Sequence, residues 1–137
     1  AGFRAIKIRM DWGPHRRDSD PAKDVAMFTA VRKFVGDDIP LSFDANNGHS
    51  VSTAIRQGCQ FEAMNIYHFE EPVAQYDYTG IKQVADALDV RVSAGEHEYT
   101  RWQSRDLIAQ ANPATRRGQL WRNHRDAKNR GLVRHFS

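Results

Sequence analysis

Strand-like and helix-like patterns alternate four times along the first 110 residues of this chain. Strand patterns occupy 3–10, 39–44, 65–70 and 90–96, and a helical apolar period follows each of them. No hairpin turn signal joins one strand pattern to the next. Strands separated by helices pair in parallel through right-handed crossovers. The alternation therefore predicts an α/β fold built from four consecutive βα units.

The helix boundaries carry recognisable signals. Asp20 before Pro21 predicts the start of the first helix, and Gly36 predicts its end. A serine at 50 or 52 is the expected cap of the second helix. The apolar spacing predicts that Cys59 faces the core from the second helix and that five residues do so from the first: Met27, Phe28, Val31, Phe34 and Val35.

Three carboxylates follow successive strand patterns at an equal spacing. Asp44 ends the second, Glu70 the third and Glu96 the fourth, so each lies 26 residues after the previous one. The spacing predicts three anions at one end of a parallel sheet, where they must raise their pKa values or bind a cation. An all-oxygen set suits Mg²⁺ first, then Mn²⁺ or Ca²⁺. Acidic loops that merely cap the following helices remain the alternative.

The first strand adds two cations to the same region. Lys7 and Arg9 alternate with Ile6 and Ile8, so the two charges share one face of the strand. In a (β/α)8 barrel, the active site lies at the C-terminal ends of the strands. The pattern predicts a partial (β/α)8 TIM barrel in which these cations hold a substrate carboxylate beside the metal.

The motifs resemble those of the enolase superfamily, in its mandelate racemase/muconate lactonizing enzyme and acid-sugar dehydratase branch. The resemblance rests on "KIR", "FDANNG", "FEEPV" and "SAGEHEYTRW", is nearest to rhamnonate-dehydratase-like members, and runs from Gly2 to about Gln110. It implies that residues 1–110 are part of the barrel catalytic domain. It also implies that Asp44, Glu70 and Glu96 bind Mg²⁺, with Asn46 as a polar partner of the first ligand.

The resemblance also implies a reaction. Such enzymes abstract the α-proton of a carboxylate substrate, stabilise an ene-diolate on Mg²⁺ and expel water, as a sugar-acid (aldonate) dehydratase of carbohydrate-acid catabolism does. Lys7 and Arg9 are the expected catalytic pair, although Arg9 stays protonated and cannot be the base. His97 is the expected substrate contact, whereas His68 fits packing as well as function. The base itself is expected on later strands, as a histidine paired with an aspartate.

Other functions remain open from the sequence alone. A racemase or cycloisomerase of the same superfamily is the nearest alternative, and a non-catalytic βα scaffold with a basic nucleic-acid-binding tail is the more distant one. The 137-residue chain begins without methionine and is interpreted as a fragment of a longer homo-oligomeric enzyme. Alone, it is expected to be inactive and unstable or self-associating. With one cysteine and no 18-residue apolar run, it is expected in the cytoplasm, without a membrane partner.

The last 27 residues differ in character from the rest. Residues 111–137 hold seven of the 20 lysines and arginines and one of the 17 acidic residues, so the first 110 carry a net charge of −3. The basic character belongs to this tail, and no nucleic-acid partner is expected for the body. Codons permitted by the tail, read one nucleotide later, can spell "ILQPDVVSFGGITEMRKIAALSD", which contains the Q-P-D and G-G segment that the resemblance requires next. We therefore interpret the tail as a frameshift product.

Overall fold

The computed structural model describes residues 4–9 and 17–111, and within them strands and helices alternate four times. In chain order the elements are β1 (Ile6–Arg9), α1 (Pro21–Val35), β2 (Leu41–Asp44), α2 (Val51–Glu62), β3 (Ile66–Glu70), α3 (Tyr78–Ala87), β4 (Arg91–Ser93) and α4 (Arg101–Ala111). Ala111, the first residue of the predicted basic tail 111–137, is the last residue of α4, and residues 112–137, with the frameshift predicted for them, lie outside the described residues.

The four strands form one parallel sheet in the order β1-β2-β3-β4. Each helix packs against the next one along the chain. The prediction of four consecutive βα units with parallel strands is confirmed. Because all four strands run the same way, their C-terminal ends lie at one edge of the sheet. Of the helices that the structure describes, none combines the length and hydrophobicity needed to cross a membrane.

The predicted helix boundaries are also present. The Asp20 carboxylate accepts the N–H of Lys23 at 3.0 Å and caps α1, with Pro21 as its first residue. Gly36 ends this helix in the left-handed region, at a φ of 78°. Of the two candidate serines, Ser50 caps α2. These side chains satisfy N–H groups that have no partner inside the helix.

A cluster of aromatic rings fills the space between the sheet and the first two helices. Phe28, Phe43, Phe61 and Phe69 are fully buried. Neighbouring ring centroids lie between 4.6 Å (Phe43–Phe61) and 6.5 Å (Phe28–Phe43) apart, mostly in tilted or edge-to-face arrangements. Such contacts add to the hydrophobic stabilisation from burial, so this cluster holds β2 and β3 rigidly in place.

Three predicted core positions are wrong. Phe34 is 91% exposed, Met27 is 40% exposed, and Cys59 is exposed as well. On α1 the inner face includes Arg32, whose guanidinium donates to the carbonyl oxygens of Met64, Gly36, Ile39 and Asn65. A polar residue that satisfies buried carbonyl groups thus occupies a position that the apolar period gave to hydrophobic residues. On α2, Gly58 faces α3, where an added Cβ would meet Leu88 at 2.2 Å, and Cys59 turns outward.

A buried histidine ties the end of the β1–α1 loop to the loop after β2. His49 is 7% exposed; its Nδ1 lies 3.7 Å from Oδ1 of Asp18, and its Nε2 lies 3.6 Å from Oδ2 of Asp24. Burial lowers the pKa of His49 below its ordinary value of 6.5, although the charges of Asp24 and Asp18 oppose the shift. The folded protein therefore favours the neutral imidazole.

Stability is expected to fall as the pH decreases below 6.5. Because the pKa of His49 is lower in the folded state, the contribution of His49 to the free energy of unfolding is complete above pH 6.5. This contribution is lost as the pH falls from 6.5 through the folded-state pKa, by up to about 1.4 kcal/mol per pH unit. Urea unfolding between pH 8 and pH 5 measures this slope. His49→Asn should flatten it, and comparison at pH 8 separates lost packing from titration. Parallel pH profiles for the two proteins would contradict the assignment.

Candidate active site

Asp44 and Glu70 occupy equivalent positions at the ends of β2 and β3 and pair in the sheet register. Their side chains are 2% and 1% exposed, yet both point toward the Lys7 ammonium on β1. Nζ of Lys7 lies 3.4 Å from Oδ2 of Asp44 and donates a hydrogen bond to Oε2 of Glu70. Two buried carboxylates thus converge on one cation. Lys7, Asp44 and Glu70 lie together at this end of the sheet, as predicted.

The pKa values of these groups shift in different directions. Burial would raise the pKa of Glu70, but the nearby His68 imidazole and the hydrogen bond and charge of Lys7 bring it below its ordinary value. Burial and the Glu70 charge raise the pKa of Asp44. Burial would lower the pKa of Lys7, but the hydrogen bond and charge of Glu70 and the charge of Asp44 raise it. In this arrangement Lys7 is a cation that neutralises carboxylates rather than a proton acceptor.

The two strand-end carboxylates fit a hard cation. Oε1 of Glu70 is buried and has no hydrogen-bond partner among the described residues, so one acceptor remains available. Oδ1 of Asp44 accepts the backbone N–H of Asn46 at 2.9 Å, which orients the carboxylate. The atoms that Asp44 and Glu70 offer as ligands are oxygens, which Mg²⁺ prefers. The Lys7 ammonium stands in for such an ion between them.

Glu96 does not lie at the end of its strand, and the prediction of equal register is wrong. β4 ends at Ser93, which pairs with Glu70, so Glu96 lies in the loop that follows. Equal spacing in sequence does not place residues at equal positions along their strands, because the elements between them differ in length: α2 has 12 residues and α3 has 10. Within residues 4–9 and 17–111, no group of three His, Cys, Asp or Glu side chains is placed to hold a metal ion. The role of Glu96 as third ligand stays a prediction.

Asn46 connects the first ligand to the second cation of β1. Its Oδ1 accepts a hydrogen bond of 2.7 Å from Nη2 of Arg9, while its backbone N–H binds Asp44. Asn46 and Asn47 both have positive φ, which asparagine tolerates better than most residues. Asn46 was predicted as a polar partner of Asp44, and the structure places the two residues in contact.

His97 lies in the loop after β4. Its Nε2 is 3.2 Å from Nδ2 of Asn47 and 3.4 Å from Oε1 of Glu96. Its imidazole therefore touches both the loop after β2 and the predicted third ligand. Its predicted contact with substrate stays a prediction.

Two further residues lie at this edge: His68, which the sequence left open between packing and function, and Glu71, to which it assigned no role. Nδ1 of His68 lies 2.8 Å from Oγ of Ser42, and its Nε2 lies 3.8 Å from Oε2 of Glu70, which places the imidazole beside the candidate ligands. Glu71 is 1% exposed, and burial raises its pKa even though two backbone N–H groups bind the carboxylate. The signal for Glu71 was present as the second glutamate of "FEEP", but spacing alone could not separate its role from that of Glu70.

A family model described as "Enolase C-terminal domain-like" matches residues 1–112, and the chain belongs to this family. The chain is also similar to a mandelate racemase/muconate lactonizing protein from Paracoccus denitrificans Pd1222, solved in complex with magnesium. That match has a TM-score of 0.75 and 45% identity, and it covers 78% of this chain and 29% of that one. The four βα units are thus part of a TIM barrel of the enolase superfamily, as predicted.

Curated relatives include enzymes of more than one activity. The arabinonate dehydratase of Saccharolobus solfataricus is 31% identical over 108 residues, which cover 78% of this chain and 27% of that protein. The L-talarate/galactarate dehydratase of Salmonella typhimurium is 44% identical over 75 residues, or 55% of this chain and 19% of that protein. Epimerases and a cycloisomerase also match. The chain spans about a quarter or less of the length of these two dehydratases.

Proposed function

We propose that this chain carries the metal-binding edge of a Mg²⁺-dependent enzyme that dehydrates a sugar acid. One observation carries the proposal: the buried carboxylates of Asp44 and Glu70 converge on a single cation at the ends of adjacent parallel strands. Family membership and the magnesium in a solved relative support the choice of ion. The dehydratases among the relatives support the substrate class.

In this proposal, Asp44, Glu70 and Glu96 hold the ion, and Asn46 orients Asp44 through its backbone N–H. When bound, Mg²⁺ stabilises the negative charge that develops on the substrate carboxylate as the α-proton leaves. Lys7 and Arg9 supply positive charge for the same carboxylate. The Asp44 and Glu70 carboxylates are buried, which limits their contact with water and strengthens these interactions.

Neither cation of β1 is suited to be the base that removes the α-proton. Arg9 stays protonated at ordinary pH, and Lys7 is held by two carboxylates. We therefore propose that the base comes from a later strand of the parent enzyme. The frameshift hypothesis places the start of that missing part in the codons from about residue 111 on.

Epimerisation and cycloisomerisation are the second candidate, because related enzymes of both kinds match the chain. All of these reactions begin by removing a proton next to a carboxylate or a related carbonyl group, so Asp44, Glu70 and Lys7 would serve each of them in the same way. The fate of the carbanion, rather than its formation, separates these activities.

Product analysis separates the candidates. The reading frame would be restored near codon 111, the gene completed, and the enzyme incubated with a panel of sugar acids and Mg²⁺ in D₂O. A dehydratase gives a 2-keto-3-deoxy acid by NMR, whereas an epimerase gives a deuterated epimer without loss of water. The same gene carrying Glu70→Gln is the control. Absence of both α-deuterium exchange and dehydration across the panel would contradict the proposal.

A further inference from the structure

Glu71 has an unusual backbone conformation for its position. Its φ is 46°, in the left-handed region, and the next residue is Pro72. Few residues other than glycine adopt positive φ, and a residue before proline is normally extended. Such conformations persist where the surrounding structure holds them, often at functional sites. In a regular strand, Glu71 would point away from the side of Glu70, but β3 ends at Glu70 and Glu71 has the left-handed φ instead.

The backbone of Glu71 joins three strand ends. Its N–H donates to the carbonyl oxygen of Ser93 at the end of β4, at 2.8 Å. Its own carbonyl oxygen accepts the N–H of Asn47, in the loop after β2, also at 2.8 Å. The left-handed turn therefore lies where the loops after β2 and β4 approach β3.

The side chain of Glu71 binds the loop that carries Glu96. Oε1 of Glu71 accepts the backbone N–H of Gly95 at 2.8 Å and that of Glu96 at 3.2 Å. The residue is 1% exposed, so water competes little for these bonds. Hydrogen bonds from N–H groups to a carboxylate are about twice as strong as those between neutral groups.

We infer that Glu71 is a positioning residue that fixes the backbone at Glu96 and so sets the place of the third carboxylate relative to Asp44 and Glu70. The inference rests on the proposed function in assigning Glu96 to the ion. It explains how a loop residue can act with two strand-end ligands: β4 stops at Ser93, and the Glu71 carboxylate holds the next residues in place of sheet hydrogen bonds. Partners of this kind orient metal ligands in many proteins.

Two variants of similar shape test this role. Glu71→Met keeps the length of the side chain and removes the acceptor, whereas Glu71→Gln keeps an acceptor oxygen. Glu62→Met is the matched control, because the Glu62 carboxylate accepts the N–H of Val90 at 2.7 Å near the start of β4. Circular dichroism verifies that each variant folds. Amide hydrogen exchange at residues 95 and 96 and calorimetric titration with MgCl₂ are the two readouts.

Glu71→Met should speed exchange of the Gly95 and Glu96 amides at least about tenfold, because two charge-assisted hydrogen bonds are lost. It should also weaken Mg²⁺ binding about 10- to 100-fold. Glu71→Gln should retain most of the protection of the two amides and most of the Mg²⁺ affinity. Glu62→Met should change neither the exchange rates nor the Mg²⁺ affinity.

Two results would overturn the positioning role of Glu71, and a third would overturn the proposed function. Unchanged exchange at residues 95 and 96 in Glu71→Met would overturn the inference. Faster exchange with wild-type Mg²⁺ affinity would also overturn it, since Glu71 would then be only a loop cap. If the wild-type chain itself binds no Mg²⁺, the proposed function fails, and the exchange data alone decide whether Glu71 positions the loop.

Discussion

Replacing Glu70 with glutamine is expected to weaken Mg²⁺ binding by at least about 100-fold. Mutating a residue that only supports a metal ligand costs about 10- to 100-fold in affinity, and Glu70 is proposed as a ligand itself. Glutamine has nearly the same shape but no charge, so a buried oxygen remains while the attraction for a divalent ion falls sharply. The Glu70 side chain is 1% exposed, and water cannot easily replace it as a ligand. Calorimetric titration with MgCl₂ measures the change.

The control for Glu70→Gln is Glu98→Gln. Glu98 lies in the loop after β4 and accepts a hydrogen bond of 3.0 Å from the Tyr78 hydroxyl. The two variants change net charge by the same amount, so a general electrostatic effect would weaken Mg²⁺ binding equally in both. Equal affinities for Glu70→Gln and the wild-type chain would remove Glu70 from the ligand set and, with it, the proposed function.

The fold was predictable because local signals agreed with one another. The period of two in β1, the Asp20-Pro21 helix start and the absence of hairpin signals all favour a parallel βα arrangement. Each signal depends on neighbouring residues only, and the structure confirms them. Consistency across such levels is what makes a fold readable from one sequence.

The site was predictable only in part, because it depends on register and on backbone turns. Asp44 and Glu70 face each other as expected, since their strands end at the same height. Glu96 does not, because a count of residues cannot show that β4 stops at Ser93. The positive φ of Glu71 is set by its contacts with two loops, and no local preference of a glutamate before proline predicts it.

The exposed Phe34 illustrates a similar limit in the helices. Hydrophobic period predicts which face of α1 is apolar, but Arg32 gains four hydrogen bonds to carbonyl oxygens by lying inward. The carbonyl groups of Met64 and Asn65 belong to the segment after α2, so their need for a donor is invisible in the sequence of α1. Buried polar groups of this kind are where pattern and structure diverge.

Replacing Lys7 with methionine is expected to make the stability of the chain dependent on Mg²⁺. Methionine keeps the apolar stem and removes the charge, so two buried carboxylates lose the cation they share. Losing one partner of a buried pair costs about 3–5 kcal/mol, but the Lys7 side chain is 41% exposed, so we expect about 2 kcal/mol without metal. Urea unfolding with EDTA measures this loss.

Added Mg²⁺ should restore what the Lys7→Met variant loses. An ion at about 100 times its dissociation constant adds about 2.7 kcal/mol to the free energy of unfolding. Because the ammonium no longer competes for the carboxylates, the gain should be larger in the variant than in the wild-type chain. Lys82→Met, which removes only an exposed pair with Asp86, should change stability by less than about 0.5 kcal/mol with or without metal. A variant that stays destabilised at saturating Mg²⁺ would show that Lys7 acts through packing, and that no ion takes its place between Asp44 and Glu70.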